Sequence, residues 1–192
     1  MRIQYSFGTP FSAGTAKRSI NVESANYLIR SLTADDASGP LIDWLRDSRV
    51  MNGLNLPMRE WNVPTLKKFL DSFDNLTSHI AGIIDRSNGR LIGFYTLDVN
   101  LLQRTGHITS AIGDMDYVGK RVLYETGPVF VRHMLNHYNM DKISARILAS
   151  NRQALFNFMI PDVFVFEARL KKEVIGANGN REDILIFSAF KQ

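Results

Sequence analysis

Residues 108–150 read ITSAIGDMDYVGKRVLYETGPVFVRHMLNHYNMDKISARILAS, and this stretch decides the fold. It opens as an apolar strand, passes through a short loop at Gly119-Lys120-Arg121, continues as a long helical pattern and closes on a second strand at Lys142–Ala149. A strand feeding a loop that opens a helix presents unpaired N–H groups to an anion, because the first helical turn has no carbonyls before it. The loop carries two cations, and its glycine lets the backbone turn closely. In the helix, Leu123, Val129, Phe130, Met134, Leu135 and Tyr138 share an apolar side. Gly127-Pro128 interrupts that pattern, so a kink or a displaced helix start is expected there.

Working outward toward the N-terminus, His107–Asp114 is preceded by two strands, His79–Ile84 and Leu91–Val99, with Leu101–Arg104 as the connector. Arg86-Ser87-Asn88-Gly89 joins those two as a hairpin, since Asn-Gly accepts positive φ at both turn positions. Before them come two helical stripes. One holds Leu41, Ile42, Trp44, Leu45 and Val50 after a start signal at Pro40. The other begins near Pro64 and buries Leu66, Phe69, Leu70 and Phe73. Between the stripes, the loop Asn52–Asn62 holds Leu54, Leu56, Met58 and Trp61, which either cap the core or wall a substrate cleft. Tyr27–Leu32 is a strand that ends at Thr33-Ala34-Asp35-Asp36. Ahead of it, Met1–Phe7 alternates as a short strand and Gly8–Ser24 reads as a mobile connector, so residues 1–25 are expected to be an extension and 26–192 the domain.

Toward the C-terminus, Asn151 sits where a helix N-cap belongs and opens a short helix through Met159 that Pro161 ends. Val163–Val174 and Asp183–Phe190 follow as strands around a turn at Gly176–Asn180. The sum is a mixed α/β (α+β) domain, with a mostly antiparallel central sheet flanked by helices, no internal repeat and no second domain.

With 192 residues, of which 45% are hydrophobic, the chain suits one globular domain. It contains no cysteine, which excludes a disulfide framework, a thiolate nucleophile and a cysteine metal site. No apolar run approaches the ~20 residues that span a membrane, and Met1–Pro10 lacks a signal-peptide core. A soluble, cytoplasmic protein without membrane association is expected. A net charge of +4 and a pI near 9.4 suit an anionic partner such as a phosphorylated cofactor. The lysines and arginines are scattered and lack a stacking strand of aromatics, so nucleic-acid binding is not expected.

This order of elements resembles the GNAT superfamily of acyl-CoA-dependent N-acyltransferases, over about Asn26 to Phe190. Four landmarks carry the resemblance. Gly106–Asp114 with Tyr117-Val118-Gly119-Lys120 is similar to the family's cofactor motif, in which a basic glycine loop follows an aromatic. Glu125 matches an acidic residue early in the next helix. Asn151, with Ala154 three positions on, matches the motif at the end of the next strand. Phe164-Val165-Phe166-Glu167-Ala168 followed by Asp183 resembles the ending of the branch that acetylates ribosomal-protein N-termini and related amines. The resemblance implies acetyl transfer from acetyl-CoA to a primary amine, a protein N-terminus or a small amine, with a homodimer as a possible assembly. A non-catalytic acyl-CoA-binding protein of the same fold is the alternative.

The resemblance also implies contacts. Coenzyme A is expected against Ser110, Ile112, Gly113, Val118, Gly119, Lys120, Arg121, Val122, Asn151 and Phe158, its diphosphate on the loop and its pantetheine along the edge of Ser110–Gly113. An N–H near Ile112 or Gly113 is the candidate oxyanion donor. Three positions depart from the family pattern: Arg121 replaces the second loop glycine, Phe158 stands where many members carry a tyrosine acid, and Val163 replaces the glycine before Phe164. For the base, the residues themselves offer His107 with Asp98 near the end of the neighbouring strand, or else both are solvated strand ends. Asp114 and Asp116 read as loop caps. His133 and His137 are spaced to share a metal but lack a third ligand, so no metal is expected.

Overall fold

The computed structural model describes residues 18–159 and 163–192; the strand expected at Met1–Phe7 and the helix stop at Pro161 lie outside the described residues. Eight strands form one sheet, in the order β1 (Asn21–Glu23), β2 (Tyr27–Ser31), β3 (Ser78–Asp85), β4 (Leu91–Asn100), β5 (Thr105–Ile112), β6 (Lys142–Leu148), β8 (Arg181–Phe190), β7 (Val165–Ile175). Neighbours in that order are antiparallel, save the parallel pair β5–β6. Helices α1 (Gly39–Arg46), α2 (Ser48–Leu54) and α3 (Val63–Asp71) cover one face; α4 (Val122–His137) and α5 (Arg152–Phe158) cover the other. This is the expected mixed, mostly antiparallel sheet flanked by helices. No helix among the described residues is long and apolar enough to cross a membrane.

Alternation builds the two cores. β4 sends Phe94 toward α1–α3, where Leu41, Trp44, Leu66 and Leu70 meet it, and sends Tyr95 and Leu97 toward Phe130, Val131 and Met134 of α4. Tyr95 stacks on Phe130 with centroids 4.5 Å apart, and its hydroxyl is 2.7 Å from that of Thr126. This packing holds α4 continuous through Pro128, so the displaced helix start expected at Gly127-Pro128 does not occur.

Local chemistry differs from expectation in three places. The stripe Leu41–Val50 is two helices, because Asp47 ends α1 in an extended conformation and caps α2 by accepting the Arg49 N–H at 2.8 Å. In the 86–89 turn only Gly89 takes positive φ, +73°. Asn88 instead accepts the Arg90 N–H through Oδ1 and donates through Nδ2 to the Tyr117 hydroxyl. Finally, residues 18–25, grouped above with the extension, pack on the domain. β1 pairs with β2, Ile20 is buried, and Glu125 of α4 accepts hydrogen bonds from the Ser24 hydroxyl, the Asn26 N–H and the Asn26 side chain at 2.7–2.9 Å. The acidic landmark in α4 thus anchors the entry to β2.

His79 of β3 is wholly buried against Tyr138, and neither ring nitrogen has a partner. Burial pushes its pKa down, against the pull of the nearby Leu76 carbonyl and the Asp74 charge. A folded state that refuses a proton the unfolded chain accepts loses stability as pH falls below about 6.5, by up to about 1.4 kcal/mol per pH unit. His107 and His133 are pushed the same way by burial. His79→Leu is therefore expected to be at least as stable as wild type at pH 7, and to lose less stability between pH 6.5 and 5. Urea titrations across that range check it; parallel losses in the two proteins would refute it.

Candidate active site

β5 and β6 pair over four residues each, Thr105–Ile108 with Lys142–Ala145, and then diverge. A cleft of about 600 Å³ opens where they part. One wall is the end of β5, another the end of β6 from Ala145 to Leu148, with α2 and α5 at the sides and the start of α4 at one end. The Gly113 N–H donates to the Ile92 carbonyl of β4 at 3.1 Å. Backbone groups of a strand alternate in direction, and the β4–β5 register is unbroken, so Ser110 and Ile112 direct their N–H and C=O groups away from β4 toward the cleft. This corrects one alternative: the Gly113 amide is engaged in the sheet, and Ile112 presents the free donor. Gly113 itself is pressed against the Trp44 indole.

At the far end, Gly119 has φ +80° and Arg121 has φ +58°, so the backbone turns left-handed twice just before α4. No side chain caps the helix there, leaving the amides of its first turn free. Arg121 lines the cleft; Lys120 does not, its ammonium lying 5.1 Å from the Tyr117 ring centre. Val118, Gly119 and Val122 also line it. Asn151 serves two elements: its Oδ1 caps α5 by accepting the Ala154 N–H at 3.0 Å, and its Nδ2 donates to the Gly53 carbonyl of α2 at 3.2 Å. Phe158 lines the cleft and packs edge-on to Phe164, 4.8 Å between centroids.

His107 is half-buried on the cleft wall, directly across from Asp98 of β4 and Ser144 of β6. Burial lowers its pKa, the Asp98 charge raises it and the Arg146 charge lowers it. Asp98 lies outside the cleft lining and forms no hydrogen bond with the imidazole, so it acts on His107 through charge alone. The Tyr117 hydroxyl is occupied by Asp85 at 2.7 Å and by Asn88. Of the Asn52–Asn62 residues, Leu54 and Leu56 wall the cleft while Trp61 caps the core against Phe69. His133 and His137 lie with ring centres 4.5 Å apart, and no cluster of three or more metal-ligating side chains exists among the described residues. Sequence reasoning missed Arg49 and Arg146, which line the cleft from α2 and β6. Arg146 was findable, since it shares the parity of Ser144 on the strand beside His107.

No family model matches the chain, and no curated protein matches it in sequence. Solved structures do. The spermidine N-acetyltransferase of Vibrio cholerae, in complex with CoA and spermine, is 17% identical with a TM-score of 0.76, covering 86% of this chain and 95% of its own. The ribosomal-protein-S5-alanine acetyltransferase of Vibrio fischeri is 20% identical with a TM-score of 0.75, over 89% and 96%. This chain has the GNAT fold. A ribosomal L7/L12 alpha-N-protein acetyltransferase is likewise similar, with a TM-score of 0.73 at 12% identity over 90% and 95%. Within this GNAT fold, the cleft at the β5–β6 divergence joins the free strand edge to the uncapped start of α4.

Proposed function

We propose that this chain transfers an acetyl group from acetyl-CoA to a primary amine within a ternary complex. The observation that carries the reading is the unpaired edge of β5 at Ser110 and Ile112, which leads along one cleft to the Gly119–Arg121 turn. An extended, amide-bearing pantetheine fits the edge as an added strand would, and a diphosphate fits the free amides and the Arg121 guanidinium. The amine nitrogen attacks the thioester carbonyl, so a C–N bond forms and the C–S bond breaks. The Ile112 N–H pairs with the pantetheine arm, the Ser110 N–H, nearer to His107 along the strand, supports the carbonyl oxygen, and neutral His107 takes the ammonium proton. Phe158 has no proton to give, so the departing thiolate is protonated by water or by the incoming ammonium. The spermidine and ribosomal-protein acetyltransferases of the same fold act on primary amines of very different size, and the fold alone does not choose between them.

Phe158 also favours a second reading, an acyl-CoA-binding protein without turnover. Acetyl-CoA at 100-fold above its dissociation constant is expected to stabilise the chain by about 2.7 kcal/mol, seen as a raised melting temperature. Silence in melting and in calorimetry at millimolar acetyl-CoA refutes both readings; binding without thiol release from any amine leaves the second. Arg121→Ala is expected to weaken acetyl-CoA and to flatten the salt dependence of its binding, because an exposed charge contact is screened. Unchanged affinity would place the guanidinium off the phosphates.

A further inference from the structure

We propose, resting on the acyl-transfer reading above, that the amine acceptor is a small amino acid whose carboxylate is held by Arg146 while its nitrogen meets His107. Three charged side chains line the cleft among the described residues, and all are arginines: Arg49, Arg121 and Arg146. Arg121 stands at the start of α4, at the phosphate end. Arg49, on α2, also borders the surface beside Gly113, Asp114 and Met115, so Arg146, on β6, is the one beside His107.

Position supports pairing Arg146 with His107. His107 is opposite Ser144, and Arg146 is two residues further along β6 on the same face, about 7 Å along the sheet. The Arg146 charge also acts on the His107 imidazole although its guanidinium leans toward Glu173 of β7, so a small zwitterion between the two can offer its carboxylate to one and its nitrogen to the other. Arg146 is oriented from outside the cleft by Glu173 at 2.7 Å. That ion pair uses one terminal nitrogen, and a guanidinium has five N–H donors. The fork left over matches a carboxylate. A polyamine is a poor fit, because no acidic side chain among the described residues lines the cleft to receive its second ammonium. Size points the same way. About 600 Å³ must also admit the acyl-pantetheine arm, which leaves room for a small acceptor.

The balance closes. A zwitterion and acetyl-CoA yield an N-acetyl carboxylate, free thiol and one proton, which passes through His107 to solvent. Losing the ammonium charge leaves an anionic product that Arg146 still holds.

The test uses the full chain with acetyl-CoA and follows thiol release with leucine, leucinamide, aspartate, aspartic α-amide and spermidine. Free carboxylates are expected to exceed their amides in kcat/KM by about tenfold or more, the size of one lost charge-assisted contact. The double variant Arg146→Gln/Glu173→Gln, which leaves no unpaired carboxylate behind, is expected to erase most of that ratio. Calorimetry of the CoA complex with N-acetyl-leucine and with N-acetyl-leucinamide reads the same preference without turnover. Equal or better use of amides or spermidine, or equal binding of the two N-acetyl compounds, overturns the proposal while acetyl transfer stands. Failure of acetyl-CoA to bind at all overturns both together.

Discussion

Gly113→Ala is expected to destabilise the chain by about 3 kcal/mol or more, at the upper end of overpacking costs. A Cβ built on Gly113 would lie 1.9 Å from Cδ2 and 2.2 Å from Cγ of Trp44. Those atoms belong to the rigid indole ring, which is buried between α1 and the sheet and cannot swing aside as a flexible chain end would. By contrast, the Cβ of Gly106→Ala would meet chiefly the tip of Met140, which can move. Gly113→Ala should therefore lower the urea midpoint much more than Gly106→Ala. Trp44→Leu combined with Gly113→Ala should recover part of the loss, a coupling that a double-mutant cycle reads directly. A loss below about 0.5 kcal/mol, the usual scale for an uncrowded site, would mean that the indole is not held against the strand. Since Gly113 directly follows the strand that carries Ser110 and Ile112, the same variant should also weaken acetyl-CoA.

His107→Ala is expected to lower kcat by a factor of about 10² or more, the usual contribution of a positioned general base. The pH dependence gives the sharper test. The base works neutral, and burial with the nearby Arg146 charge holds its pKa below the 6.5 of a free imidazole, against the opposing pull of Asp98. Activity therefore rises as pH climbs through that lowered value, and the ascending limb lies below pH 6.5. Asp98→Asn removes a charge that favours the imidazolium and should move the limb lower; Arg146→Gln should move it higher. Thiol-release profiles from pH 5 to 9 measure all three. A wild-type profile that survives His107→Ala would remove His107 from the mechanism.

The elements were legible in the sequence where their causes are local. Asn151 before an apolar turn is an N-cap whatever surrounds it, and its carbonyl indeed accepts the Ala154 amide. Asn62 and Pro64 start α3 by the same kind of short-range chemistry, Asn62 exchanging hydrogen bonds with Thr65 at 2.9 Å. Gly119 before a basic residue and a helix marks a left-handed turn, and φ there is +80°. Asp47 was legible too but was passed over, because the apolar stripe on either side of it keeps a helical period across the break.

The cleft was legible only in part. That a strand edge would be open near Ser110–Gly113 came from a family resemblance, and which amide is free could not. It depends on the register between β4 and β5, which turns Gly113 into the sheet and Ile112 toward the cleft. Arg49, His107 and Arg146 lie on three elements, and no spacing along the chain relates them. By itself the sequence determined the order of strands and helices and the turn before α4, since capping, alternation and backbone conformation act over a few residues. Only the tertiary structure decided that β5 and β6 part after Ile108 and Ala145, and so which side chains face one another across the gap, because pairing between strands more than thirty residues apart is not fixed by any local pattern.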